Sequence, residues 1–310
     1  MGDSLFIGSC SGNFYALDRQ RGKPTWTFDA TFDSSRPNFH GNALFAEDLV
    51  IVGTDDQELG YLYAFDRATG QVVWQHTAAG GFPSDVQVRG SRVYAVTMTG
   101  EVRCLKLETG EALWSSGGTE GDRLLKSAVV ILGDRIIVSL PSGTVSSLYA
   151  ESGEVAWETR LAGRLNTAPA VIGDRLYIGD VEGRIHQLSS KDGKALGEIK
   201  GEAPVYGSLL SAGDCLLALW GEDTLVCLDP DSGAVQWSQA TRSSWSSFQP
   251  LILDEIVVVG TGSGEIHAFR LSDGSTAWTR HLEGEIKGLG THEGVLYVGT
   301  VQGRVYAVRL

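Results

Sequence analysis

Short apolar runs recur along this chain at near-constant spacing. In each, Val, Ile, Leu and Tyr alternate with polar residues, and a tight turn joins two such runs into a hairpin. The turn residue falls at Gly12, Gly60, Gly100, Gly143, Gly183, Asp223, Gly264 and Gly303, with gaps of 48, 40, 43, 40, 40, 41 and 39 residues. Two positions after each turn stands an apolar side chain: Phe14, Leu62, Val102, Val145, Ile185, Leu225, Ile266 and Val305. No helical periodicity of useful length occurs. A second signal is locked to the first. Glycine followed four residues later by tryptophan recurs at Gly22/Trp26, Gly70/Trp74, Gly110/Trp114, Gly153/Trp157, Gly233/Trp237 and Gly274/Trp278. Six of the eight tryptophans therefore share one repeat position, and Gly197 stands where a seventh is expected after Gly193.

A unit of about 40 residues holds an inner strand such as 167–172, the two hairpin strands, and a fourth strand at the Gly-x-x-x-Trp. Four antiparallel strands per such period predict an all-β fold, a β-propeller of four-stranded antiparallel blades. Neither face of one sheet can be buried alone, so successive sheets must pack face to face. Eight hairpins favour eight blades, with seven plus a displaced hairpin as the alternative. The first hairpin lacks an inner strand before it and the last lacks a fourth strand after it. The reading is a single propeller domain over 1–310, cut from the C-terminal end of a longer chain.

Composition narrows the function. Twenty-five Lys and Arg against 38 Asp and Glu leave a net charge of −13. That balance argues against nucleic acid, whose binding needs a basic face, and no apolar run reaches the roughly 20 residues of a membrane-spanning helix, so no membrane insertion is expected. The start of the chain carries no secretory signal pattern, which points to the cytoplasm, or to the periplasm or extracellular space if a signal was removed. Cys10, Cys104, Cys215 and Cys227 form no CxxC pair and read as four buried thiols. A closed propeller leaves short, protected sheet edges, so a monomer is expected.

The segments AFDRATGQVVW (Ala64 to Trp74) and ALDRQRGKPTW (Ala16 to Trp26) resemble the tryptophan-docking repeat of pyrroloquinoline-quinone-type propellers, and CLDPDSGAVQW and AFRLSDGSTAW are weaker copies. The resemblance covers essentially the whole chain. It implies that Trp26, Trp74, Trp114, Trp157, Trp237 and Trp278 dock between neighbouring blades, that the glycine opens the turn, and that the junction near 195–197 is thinner. The family's quinone-dependent dehydrogenases need a metal site, an Asp base and, in many, adjacent cysteines. None of these matches here residue by residue, so no cofactor, no metal and no catalytic residue is assigned. Other relatives are non-enzymatic: an outer-membrane assembly scaffold lipoprotein, and propellers fused to kinases or to adenylate-forming enzymes. The favoured reading is thus an interaction module for a protein partner or a fused enzyme domain.

Three local features bear on chemistry. Thr54-Asp55-Asp56-Gln57-Glu58 extends one hairpin turn and reads as a solvated acidic turn, with a hard-cation site as the alternative. His186 and His267 share a repeat position and read as packing residues. The inner-strand segments collect aromatic and charged residues, and Asn38, His40, Asp85, Lys126, Asn166, Tyr206, Trp245 and Lys287 could line a channel mouth for a small anionic or aromatic ligand. An enzyme or cofactor-binding protein using that mouth is the alternative function.

Overall fold

The alternating runs form strands as their periodicity predicts, and the computed structural model describes residues 4–118, 129–245 and 249–310. The described chain is all-β apart from one 3-10 turn at Ala30–Phe32. Its strands assemble into eight antiparallel sheets in chain order, the blades of a β-propeller; six have four strands, and the first and last have three. Two units divide them, one ending at Arg160 and one beginning at Leu161, with four blades each. Blade 5 shows the plan: Ala170–Ile172 innermost, then Arg175–Gly179, Arg184–Ser189 and Ala195–Lys200 outermost. Among the described residues blade 1 has no inner strand and blade 8 no outer one, as the spacing of the hairpins predicts.

Seven of the eight middle hairpins bury the apolar position named above, and in the last Val305 is exposed. Phe14, Leu62, Val102, Val145, Ile185, Leu225 and Ile266 all lie in the core. The inner strands are shorter than expected. They have three residues in blades 2, 3, 4, 5 and 7, but eight in blade 6 (Val205–Ala212) and seven in blade 8 (Ile286–His292). Proline accompanies the short strand in four of them. Pro37, Pro83, Pro169 and Pro250 sit in the inner segments of blades 2, 3, 5 and 7, where a residue without an N–H cannot continue a ladder. The long inner strands contain none.

The Gly-x-x-x-Trp element closes the turn into each outer strand. Gly70 donates its N–H to Asp66 O at 2.8 Å and has φ +74°, and a Cβ there would fall 2.5 Å from the Trp26 ring. The position thus requires glycine for conformation and for space. Gly110 meets the Trp74 ring, Gly153 the Trp114 ring and Gly274 the Trp237 ring in the same way. Each of those indoles donates Nε1–H to a carbonyl of the next blade: Trp26 to Arg67 (3.1 Å), Trp74 to Leu107 (2.8 Å), Trp114 to Ala150 (3.1 Å) and Trp237 to Leu271 (2.9 Å). Blade 5 departs from the rule without leaving a gap. Gln187, paired across the strands with Gly197, donates Nε2–H to Pro230 O at 3.2 Å, and Ile199 covers Gly233. The expectation of a thinner junction there gives way to a different filling.

The cysteines correct the sequence reading. Cys215 and Cys227 are joined in a disulfide between adjacent strands of blade 6, with Cα atoms 5.5 Å apart, and Cys10 is exposed. Antiparallel pairing sets Leu217 opposite Cys227 and so brings the two sulfurs together. Cys104 remains a buried thiol, and burial pushes its pKa up. Alkylation of the unreduced protein should label Cys10 when native, Cys10 and Cys104 when denatured, and all four only after reduction. Four labels without reductant would exclude the bridge.

Candidate functional site

The connections between blades carry the least regular sequence, and the structure ties them to the hairpin turns. The anchor is a repeat position just after the second strand of a blade. Its side-chain oxygen accepts an N–H from the far side of the hairpin turn: Ser9 from Asn13 (3.1 Å), Thr54 from Tyr61 (3.0 Å), Thr97 from Glu101 (3.1 Å), Thr261 from Glu265 (3.1 Å) and Thr300 from Arg304 (3.1 Å). This is the side-chain capping that Ser, Thr and Asp supply to turns. The sequence signal was available, since a Ser, Thr or Asp follows the strand-ending glycine at Gly8, Gly53, Gly179, Gly260 and Gly299.

Asp180 is the charged version of the cap. It is fully buried and accepts from Glu182 N, Arg184 N, Arg184 Nε (2.7 Å) and His186 Nε2 (2.9 Å). Burial opposes its charge, but the amide and guanidinium of Arg184 and the His186 ring outweigh that and hold the carboxyl below its usual range. His186, read as a packing residue, is therefore also a partner of this carboxylate. His267 stacks on Phe269 with centroids 5.9 Å apart, and burial lowers its pKa.

Among the described residues of the first unit, an elaborate connection runs from Ala30 to Ala43, between the outer strand of blade 1 and the inner strand of blade 2. It meets the extended turn at 54–61, which forms a long, bulged start to the third strand, Asp55–Asp66. Asp55 and Asp56 are buried, which corrects the reading of a solvated acidic turn. Asp56 accepts from Ser34 Oγ, from Ser35 Oγ and from Arg36 N at 2.7 Å. Asp55 Oδ1 lies 2.7 Å from His40 Nδ1. Tyr63 donates to Asp33 Oδ2 at 2.8 Å, and burial followed by that carboxylate raises the phenol's pKa well above its ordinary value. Beneath the rim lies an aromatic stack: Phe28 meets Tyr63 at 5.0 Å and Phe65 at 4.8 Å, and Phe14 meets Phe65 at 5.5 Å. The carboxylates are spent on fixing a loop, and aromatic packing stiffens its base.

The proposed channel-mouth residues fall in both units. Asn38 exchanges two backbone hydrogen bonds with Asp55, so it and His40 meet on one residue. Asp85 accepts from Asn42 N (2.6 Å) and Nδ2 (3.0 Å), which links it to the same connection. In the second unit Asn166 donates Nδ2–H to Val205 O at 3.1 Å. Tyr206 is half-buried in the inner strand of blade 6, and Lys287 is exposed on that of blade 8. Trp245 is 4 % exposed, and its indole N–H is buried with no hydrogen-bond partner among the described residues. Lys126 lies outside the described residues. Sequence reasoning missed Phe32, an exposed aromatic in the 30–43 connection, because nothing in the repeat marks it.

A family model described as outer membrane protein assembly factor BamB matches residues 11–168, 99–212 and 141–310. The chain belongs to this family. It is 25 % identical over 289 residues to the factor of that name from Yersinia pestis, spanning 88 % of this chain and 73 % of that one. It is 30 % identical over 169 residues to the Legionella pneumophila factor, spanning 50 % of this chain and 41 % of the other. Among solved structures, BamB from Moraxella catarrhalis superposes with a TM-score of 0.81 at 17 % identity over 100 % of this chain and 95 % of its own. A computationally designed protein, Ika8, reaches 0.83 at 15 % identity over 100 % and 94 %. That a designed chain fits as well as a natural relative shows that these superpositions report the fold alone.

Proposed function

We propose that this chain is a non-enzymatic propeller that binds protein partners during the assembly of outer membrane proteins, on the periplasmic side of that membrane. The observation that carries the reading is the family match, which runs from residue 11 to residue 310. The named work of the relatives lies at the cell envelope, which favours the periplasmic alternative over the cytoplasm. The Cys215–Cys227 bridge supports the same compartment, since disulfides persist where the surroundings are oxidising. Connections pinned by buried carboxylates supply the rigid, loop-bearing surface that recognition needs. The reading calls for a monomeric propeller and draws on neither a fused enzyme nor a small ligand. Depleting the protein in its host should lower the folded, heat-modifiable β-barrel proteins recovered from the outer membrane. Unchanged barrel levels, with the protein fractionating to the cytoplasm, would overturn the reading.

A further inference from the structure

Phe32 is 89 % exposed, the most exposed of the large apolar side chains among the described residues. A ring left in water forgoes the favourable transfer of its apolar surface. The ring stands on a fixed support. Its 3-10 turn is capped by Asp29, which accepts from Thr31 N at 2.9 Å and from Thr31 Oγ1 at 2.6 Å. The next residue is held twice, since Tyr61 donates to Asp33 O at 3.0 Å and Tyr63 to its carboxylate. Ser34 then reaches Leu59 O at 3.2 Å, which sets a second exposed apolar side chain, Leu59, on the same rim. The segments that carry these two also hold the half-buried Asp29, the exposed Asp33 and Glu58, and the buried Asp55 and Asp56. Arg36 is the one cationic Lys or Arg in the segments 29–36 and 54–61.

We infer that this rim of blade 2 is a docking surface for a segment of a partner protein that offers an apolar socket flanked by lysines or arginines. The inference rests on the proposed interaction role and assigns it a place. An anchored aromatic supplies the buried centre of such a contact, and the surrounding carboxylates select the sign of the partner and speed its approach. A flexible loop would lose much of that energy in ordering; this one is already ordered by its hydrogen bonds.

A labelled amphipathic peptide of leucine and lysine, and its leucine and glutamate counterpart, test this by fluorescence anisotropy on the full chain. The lysine peptide should bind and the glutamate peptide should not. Phe32→Ser should weaken binding by about tenfold or more. Glu58→Lys should weaken it less and flatten its salt dependence. Leu196→Ser, which removes an exposed apolar side chain on the outer strand of blade 5, should change nothing. Equal binding of both peptides, or equal binding by Phe32→Ser and wild type, overturns the assignment. In the host, Phe32→Ser at normal abundance should reproduce the barrel defect of depletion. If depletion gives the defect and Phe32→Ser does not, the rim is wrong and the assembly role stands. If depletion itself gives none, the assembly role falls and the peptide titration still decides the rim.

Discussion

Replacing Trp74 by alanine is expected to destabilise the folded chain by about 3–5 kcal/mol, the usual cost of emptying a large aromatic site in a core. Trp74 is 6 % exposed and packs in one cluster with Ala64, Leu105 and Leu107. Its ring lies against Gly110, where a Cβ would come within 2.6 Å, so no side chain stands ready to collapse into the space. Its indole also donates to Leu107 O, a carbonyl that would be left without that donor. Trp74→Phe separates the two contributions. It keeps most of the ring and loses the N–H, and should cost about 1–2 kcal/mol. Chemical denaturation monitored by circular dichroism provides the measurement. An alanine variant within about 1 kcal/mol of wild type would show that the indole is not structural.

The second large effect is expected at the junction where the repeat is broken. In blades with the indole, the residue across the strand is small: Ala16 faces Trp26, Ala64 faces Trp74, Cys104 faces Trp114, Ser147 faces Trp157, Cys227 faces Trp237 and Ala268 faces Trp278. In blade 5 the sizes are exchanged, with Gln187 facing Gly197. The glutamine side chain crosses to the same carbonyl position in the next blade, Pro230, that indoles reach elsewhere. Installing tryptophan alone, as Gly197→Trp, should cost about 1–3 kcal/mol through overpacking against Gln187, whose Oε1 lies 3.2 Å from where a Cβ would stand. Adding Gln187→Ala should recover most of that loss, and the double-mutant cycle should show favourable coupling of about 1 kcal/mol or more. Strictly additive changes would mean that the two positions do not share one volume.

The connections show why function is harder to read than fold in such a chain. Asp55 and Asp56 look in sequence like an acidic turn facing water, yet they are buried and hold a neighbouring connection in place. The carboxylates that do remain on the surface there, Asp33 and Glu58, carry no local signature that separates them from the buried pair. Residues 20 or more positions apart decide which is which, through contacts such as Ser34 and Arg36 with Asp56. Cys215 and Cys227 show the same dependence, since the strand register that joins them is not encoded in their own surroundings.

Hairpin spacing and the periodic indoles marked, as sequence, a propeller of antiparallel four-stranded sheets and favoured eight of them over seven, the number the structure has. Each signal is local, and each answers to the fixed geometry of one strand or one turn. The disulfide, the exchange of bulk between Gln187 and Gly197, and the presentation of Phe32 came only with the tertiary structure. They depend on which surfaces meet across strands and blades, and a linear chain does not carry those distances.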